Sequence, residues 1–127
     1  MPIQYLRDDA KRRIRLTVTD PVTVMDLIAS VERQLAESTW HYGLLVDMRG
    51  QSEAAGSGDV RTFSSRVAEL IAAHGPRGPI AVVARDASPV AGAQLHVLLG
   101  GKRESVEVFW DLADGQRWLD ARMTGDA

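Results

Sequence analysis

The sequence predicts an α/β domain with one mixed β-sheet of about five strands and about four helices, in the order β-β-α-β-α-β-α-β-α. Two largely apolar runs without alternation, residues 43–48 and 80–84, are typical of strands covered on both faces. The alternating residues 13–19 are typical of a strand with one buried face. Segments with helical periodicity separate the later strands, so helical crossovers are expected to join them into one sheet.

A hairpin is predicted at the start of the chain. Residues 3–7 favour a short edge strand, and Asp8-Asp9-Ala10-Lys11 supplies turn residues before the second strand. In the second strand Ile14, Leu16 and Val18 face one side, and the short connection makes the pair antiparallel. The basic residues here are predicted to be a solvated strand face, with membrane-surface contact the less favoured interpretation; they are Lys11, Arg12, Arg13 and Arg15.

The first two helices follow from apolar residues at helical spacing. The first is predicted over about residues 22–38, entered at Asp20-Pro21, with Thr23 as a competing cap. The second follows the glycine-containing stretch 47–59 and ends at His74-Gly75, because glycine commonly follows the last turn of a helix.

The last third of the chain predicts another helix, a strand and a final helix. Ser88-Pro89 opens the third helix, and Gly100-Gly101 closes it. Residues 105–110 alternate, which places Trp110 on the same side of a strand as two valines. Asp111 then caps a helix that is expected to pack on the sheet through three apolar residues. These are Leu112, Trp118 and Leu119.

Composition narrows the class of function. The 127 residues are expected to form a single domain over residues 1–127. A formal net charge of −2 gives no global field to recruit nucleic acid. The absence of cysteine excludes disulfides, thiolate metal sites and a cysteine nucleophile. No signal peptide or membrane-spanning run is evident, so the expected location is cytoplasmic, with a peripheral membrane position left open.

Three stretches resemble one known family: YGLLVDMRG, GPIAVVARD and VEVFWDLADGQRWL. The last carries an aromatic after a strand, an aspartate and a helix ending in Trp-Leu, here Phe109, Asp111, Trp118 and Leu119. The chain in this respect is similar to the SpoIIAA-like branch of the STAS superfamily, which is related to the SEC14 fold. That resemblance implies a mixed sheet with helices, usually non-enzymatic roles, and binding of a lipid-like or other small ligand.

The sequence departs from the family at one motif. Anti-sigma-factor antagonists of this superfamily carry a phosphorylatable serine in an Asp-Ser-Ser-Gly type motif where the helix after the loop begins. Here the loop ends in GSGD, and the double serine Ser64-Ser65 lies within the helix with no glycine after it. A phosphate on Ser57 would lie near a helix N-terminus, which favours an anion, but the motif itself does not carry over.

The glycine-containing loop after the central strand is the first candidate site. Gly50, Gly56 and Gly58 match neither the phosphate-binding nor the dinucleotide-binding motif, so a flexible connection and a helix cap is the favoured interpretation. Open α/β sheets nevertheless bind ligands at the carboxyl ends of their strands. The candidate ligand-binding residues here are Asp47, Arg49 and Ser57.

The predicted third helix supplies the second group of candidates. Its apolar face, with Pro89 and Gly92 at one end and Gly100-Gly101 at the other, is expected to move against the sheet and to admit an amphipathic molecule. The candidate ligand-binding residues of this helix are Leu95, His96 and Leu99.

No catalytic residue, metal ligand or cofactor is predicted. The three histidines have no i, i+4 partner, and the serines lack the G-x-S-x-G context of a hydrolase. The favoured function is therefore non-enzymatic binding of a lipid-like or other small amphipathic ligand. The alternative is a protein–protein regulatory module of the anti-sigma-antagonist type, docking through the second helix. Nucleic acid is not an expected partner, and a homodimer is left open.

Overall fold

The computed structural model describes residues 3–19, 22–50, 57–84 and 106–124, which form five strands and three helices. In chain order these elements are β1 (Ile3–Asp8), β2 (Arg13–Thr19), α1 (Val24–Ala36), β3 (Gly43–Gly50), α2 (Ser57–His74), β4 (Ile80–Val83), β5 (Val106–Phe109) and α3 (Leu112–Thr124). The α/β class is confirmed. The helix predicted between Ser88-Pro89 and Gly100-Gly101 lies outside the described residues.

The five strands form one mixed sheet in the order β1-β2-β3-β4-β5. β1 is antiparallel to β2, as the hairpin prediction requires, and β2, β3, β4 and β5 are mutually parallel. Because parallel strands end on the same side, the carboxyl ends of β2 to β5 meet at one edge of the sheet. We call it the carboxyl edge, defined by Thr19, Gly50, Val83 and Phe109.

The two faces of the sheet are covered differently. Ile14, Leu16 and Val18 of β2 point toward α1 and α2, where they join the larger hydrophobic core. Every residue of β3 from Gly43 to Met48 is buried, which confirms the prediction of a strand covered on both faces. The opposite face packs against α3 through a smaller apolar cluster: Leu45, Ala81, Val83 and Leu119.

The arginines of β2 correct one prediction. Arg13 is only 6% exposed, and its Nη2 donates to Asp120 Oδ1 of α3 at 2.6 Å. Arg15 is half-buried, and the Nε atoms of both arginines are buried. The prediction of a solvated strand face was therefore wrong for these two side chains, because α3 packs on the same face of the sheet.

α1 begins later than predicted. Thr23 rather than Asp20-Pro21 caps it, since the Asp26 N–H donates to Thr23 Oγ1 at 3.1 Å. The reciprocal bond runs from the Thr23 N–H to Asp26 Oδ2 at 2.9 Å and completes a capping box. A capping box satisfies the first amides of the helix locally, so the helix begins at Val24.

The last strand ends one residue earlier than predicted, and the helix after it begins at the predicted cap. β5 ends at Phe109, so Trp110 does not continue the predicted alternation and its side chain is 46% exposed. Asp111 Oδ1 accepts from the Ala113 N–H at 2.7 Å, which confirms the predicted cap. Leu119 is fully buried, and Leu112 and Trp118 pack beside it as expected.

The opposite, amino edge of the sheet contains a buried polar network. Trp40 is 6% exposed, and its Nε1 donates to the Gly75 carbonyl at 2.9 Å, so it belongs to the core rather than to a ligand site. Arg77 lies with its guanidinium carbon 5.4 Å from the Trp40 ring centre and donates from Nη2 to Gln34 Oε1 at 3.0 Å. Burial lowers the pKa of Arg77 to about 10. These contacts hold the end of α2 against the chain that enters β3.

Candidate ligand site at the carboxyl edge

Asp47 and Arg49, both predicted from sequence, form an ion pair where β3 ends. They are two residues apart and point to the same face of the sheet. Arg49 Nε donates to Asp47 Oδ1 and Arg49 Nη2 to Asp47 Oδ2, both at 2.9 Å, so the guanidinium is held as a two-point fork. The Arg49 backbone N–H also donates to Oδ1, at 3.1 Å. A buried carboxylate thus fixes a cation at the carboxyl edge.

The exposure of the two partners is unequal. Asp47 is 6% exposed, whereas the side chain of Arg49 is 43% exposed. A guanidinium has five N–H donors, and the fork uses two of them. The other three have no partner among the described residues and can reach a ligand from solvent.

The pKa of Asp47 is lowered from its usual value, chiefly by the hydrogen bonds from the Arg49 side chain. Burial opposes that shift, while the Arg49 backbone N–H and the charge of Arg15 add to it. The same ion pair raises the pKa of Arg49. Asp47 is therefore an anion whose two carboxylate oxygens already accept hydrogen bonds from Arg49. It is suited to holding Arg49 rather than to exchanging protons with a substrate.

Arg15 adds a second cation on this face. It pairs across the sheet with Leu45, one position away on the same face from Asp47. Its buried Nε has no hydrogen-bond partner among the described residues. Arg15 and Arg49 therefore both act on the carboxylate of Asp47, so two guanidinium groups lie on this face of the sheet.

The end of β2 is irregular next to these charges. The pairing of β2 with β3 shifts register between Thr17 and Thr19. A Cβ on Gly50 would lie only 3.0 Å from Thr19 Cγ2 and 3.2 Å from the Val18 carbonyl oxygen, so the two strand ends approach closely and a side chain would fit only if a neighbour shifted by a few tenths of an ångström. Such irregularities redirect side chains and are frequent beside binding sites.

The end of β5 brings an apolar group to the same edge. Trp110 is one of the large exposed apolar side chains among the described residues, and Asp111 next to it has a charge that contributes to the raised pKa of Arg49. β3 and β5 are separated by β4 alone, which places their ends about 10 Å apart. A cation and an indole thus lie within the span of one small amphipathic molecule.

The structure brings together two of the six residues predicted as ligand-binding. Ser57 is the first residue of α2, and its side chain is outside the description. Leu95, His96 and Leu99 lie outside the described residues altogether. Sequence reasoning missed Arg15 and Trp110 as candidates, although the position of Trp110 at the end of a predicted strand was a usable signal.

A second surface lies between α1 and α2. It is an open groove of about 560 Å³ whose lining includes Met25, Ile28, Thr62 and Ser65. Met25 is 65% exposed, while Ile28 forms part of the core beneath it. Arg66 bridges the two helices by donating to Glu32 Oε2 at 2.8 Å. The groove combines an apolar floor with fixed charges at its side.

The described residues contain neither a metal-binding cluster nor a helix that could span a membrane. No group of three or more His, Asp or Glu side chains among them could hold a metal ion. None of the helices described is both long and apolar enough to cross a membrane. In comparisons with known proteins, neither a family model nor a curated protein matches the chain.

Proposed function

We propose that the chain is a STAS/SpoIIAA-like domain of about five strands and four helices. Two features support this: the single mixed sheet with its antiparallel first strand, and the YGLLVDMRG and VEVFWDLADGQRWL stretches that form β3 and the β5–α3 unit. The family resemblance favours a binding role without catalysis.

Within that fold we propose that the protein binds a small amphipathic anion at the carboxyl edge of the sheet. One observation carries this proposal: the Arg49 guanidinium is fixed by Asp47 yet 43% exposed, and three of its N–H donors have no partner in the described part of the chain. Arg15 adds positive charge beside it, and the half-exposed Trp110 offers an apolar surface for a chain or ring. The head group is a phosphate or carboxylate, because these match the planar fork of a guanidinium.

A fluorescence titration with two amphiphiles that share a tail tests the proposal. Dodecyl phosphate carries the predicted anionic head, and dodecyltrimethylammonium carries a cationic one; both are used below micelle-forming concentrations. Addition of dodecyl phosphate is expected to change tryptophan emission with saturation, and dodecyltrimethylammonium is not. Trp110→Phe is expected to remove most of the emission change, since Trp40 is buried in the core and the Trp118 ring is packed between Phe109 and the Arg122 guanidinium.

Single substitutions then test whether the anion binds at the carboxyl edge. Arg15→Gln leaves the Asp47–Arg49 fork intact and is expected to weaken dodecyl phosphate binding about tenfold, because it removes one of the two positive charges at the site. Arg117→Gln on the exposed side of α3 is the matched control and should bind like wild type. Equal loss in both variants, or equal binding of both amphiphiles, would contradict a specific anion site.

The same head group can come from a free molecule or from a membrane lipid. Vesicles of phosphatidylglycerol compared with vesicles of phosphatidylcholine distinguish the two sources. Sedimentation with the anionic vesicles, lost in Arg15→Gln, supports a peripheral position at a membrane. Binding of soluble dodecyl phosphate without vesicle binding supports a free ligand in the cytoplasm.

The groove between α1 and α2 favours a second candidate function, a regulatory module that docks another protein. The exposed Met25 supplies an apolar contact, and Ser65, which is also exposed, stands in the groove one residue before Arg66. Modification of Ser65 would introduce negative charge between the helices, beside the Glu32–Arg66 bridge, and would change the docking surface.

Phosphopeptide mapping tests this candidate. The protein is incubated with cell extract and ATP, and Ser57, Ser64 and Ser65 are examined by mass spectrometry. Phosphate on any of them, together with a partner that binds wild type and not Met25→Asp, supports the regulatory role. Absence of both modification and partner removes it.

A further inference from the structure

β1 is an edge strand with a regular free side. It pairs with β2 without a register shift from Ile3↔Val18 to Asp8↔Arg13, and no described residue pairs with its outer edge. The strand contains neither a proline nor a bulge, two of the devices that commonly protect an edge from pairing. Its backbone donors and acceptors are therefore arranged for another strand.

The side chains of β1 point alternately to the two faces of the sheet, and the two sets have different surroundings. Tyr5 and Arg7 point toward α1, where the Tyr5 hydroxyl donates to Glu37 Oε1 at 3.0 Å and the Arg33 guanidinium lies 3.8 Å from the Tyr5 ring centre. Leu6 points to the opposite face, next to Arg15, and is 58% exposed. A leucine this exposed in the middle of an edge strand loses its contact with water if a second strand covers it.

We propose that β1 pairs antiparallel with β1 of a second copy of this chain, about a two-fold axis at Leu6. This register places Leu6 opposite the partner's Leu6, Tyr5 opposite the partner's Arg7, and Gln4 opposite the partner's Asp8. The three pairs are apolar with apolar, aromatic with cation, and amide with carboxylate, each of a kind that stabilises paired strands.

Neighbouring registers are poorer. An axis at Tyr5 sets Gln4 against the partner's Leu6 and Ile3 against the partner's Arg7, which pairs apolar with polar groups. An axis at Arg7 sets two like charges directly opposite each other, which destabilises a pair of strands. The Leu6 register avoids both conflicts, and the product is a continuous ten-stranded sheet, twice the five strands of one chain.

Disulfide trapping tests the register directly, because the chain has no cysteine of its own. Residues directly opposite in an antiparallel pair have Cα atoms about 4.5–5.5 Å apart, within reach of a disulfide. Leu6→Cys is expected to cross-link rapidly into a dimer under mild oxidation. Gln4→Cys, whose two copies would lie about 14 Å apart along the strands, is the control on the same edge and should form little or no disulfide cross-link.

Sedimentation equilibrium tests the association in the absence of a cross-link. Wild type is expected to show a concentration-dependent dimer, and Leu6→Lys to shift the population to monomer because it sets two ammonium groups opposite each other. Met25→Lys makes the same change at an exposed apolar residue of α1 and should leave the dimer intact. A monomeric wild type, a Leu6→Lys variant that dimerises like wild type, or equal trapping of Leu6→Cys and Gln4→Cys would each overturn the proposal.

Discussion

Among single residues, Asp47 has the clearest physical role. It is a buried carboxylate at the end of β3, and its three hydrogen bonds from Arg49 hold that guanidinium at the carboxyl edge. The pKa of Asp47 in the folded protein lies below its ordinary value of 3.8. For a carboxyl with a lowered folded pKa, the stabilisation is fully present above the unfolded value and is lost as the pH falls through the folded one.

Asp47→Asn tests this role. The substitution removes the charge and is expected to lower the free energy of unfolding by about 1–2 kcal/mol at pH 7, the lower part of the range for charged hydrogen bonds because Arg49 is partly in water. Urea unfolding at several pH values measures it. The difference between variant and wild type should narrow below pH 3.8, where the Asp47 carboxyl of the unfolded chain takes up a proton while that of the folded chain is still charged. A constant difference at all pH values would show that packing rather than charge is responsible.

Sequence reasoning reached part of this site. Asp47 and Arg49 could be predicted because a charged pair directly after a buried strand lies at the carboxyl edge. Arg15 could not, because its burial depends on how α3 packs across the same face, and that contact joins residues about a hundred positions apart in the chain. The close approach of Gly50 to Thr19 likewise depends on the strand register and not on any local motif.

At the scale of single elements, local hydrogen bonds determine where each helix begins and ends, and only some of these bonds can be predicted from the sequence. Both Asp20-Pro21 and Thr23 were plausible entries to α1, and the capping box decides for Thr23 because two reciprocal bonds form there. The end of α2 was predicted correctly at His74-Gly75, where Gly75 has a φ of +90°. The end of α2 depends on a single glycine and was therefore easier to predict than the start of α1, where two caps were plausible.

Thr23→Ala is expected to destabilise the protein by about 1 kcal/mol, because it removes the acceptor for the Asp26 N–H. Thr23→Ser keeps the hydroxyl and should stay close to wild type. Thermal unfolding of the two variants side by side measures the difference. If both variants have the same melting temperature, the hydrogen bond to the Thr23 hydroxyl contributes nothing to stability.

For the molecule as a whole, one ion pair joins the second strand to the last helix. Arg13 of β2 and Asp120 of α3 are separated by 107 positions in the chain, and the Arg13 side chain is only 7% exposed. Loss of the carboxylate leaves a buried cation without its partner, which is more costly than the loss of a pair at the surface. The mixed sheet and its antiparallel first pair of strands could be predicted from periodicity and connection length, but this long-range pair could not.

Asp120→Asn is expected to lower the free energy of unfolding by about 1–3 kcal/mol, short of a fully buried pair because Asp120 itself remains accessible to water. Asp114→Asn is the matched control on the same helix, since its partner Arg117 is 75% exposed, and should cost less than about 0.5 kcal/mol. Urea unfolding compares them. Equal effects would mean that the pair does not hold α3 to the sheet.

The binding of an amphipathic anion at the carboxyl edge is tested most directly by two-dimensional ¹H–¹⁵N NMR during addition of dodecyl phosphate. The account predicts saturable shift changes centred on the amides of Arg49 and Gly50 and on the indole N–H of Trp110, all abolished in Arg15→Gln or shifted to much higher ligand concentration. Shift changes centred on Thr62 and Ser65 in the α1–α2 groove, or none at all, would contradict it.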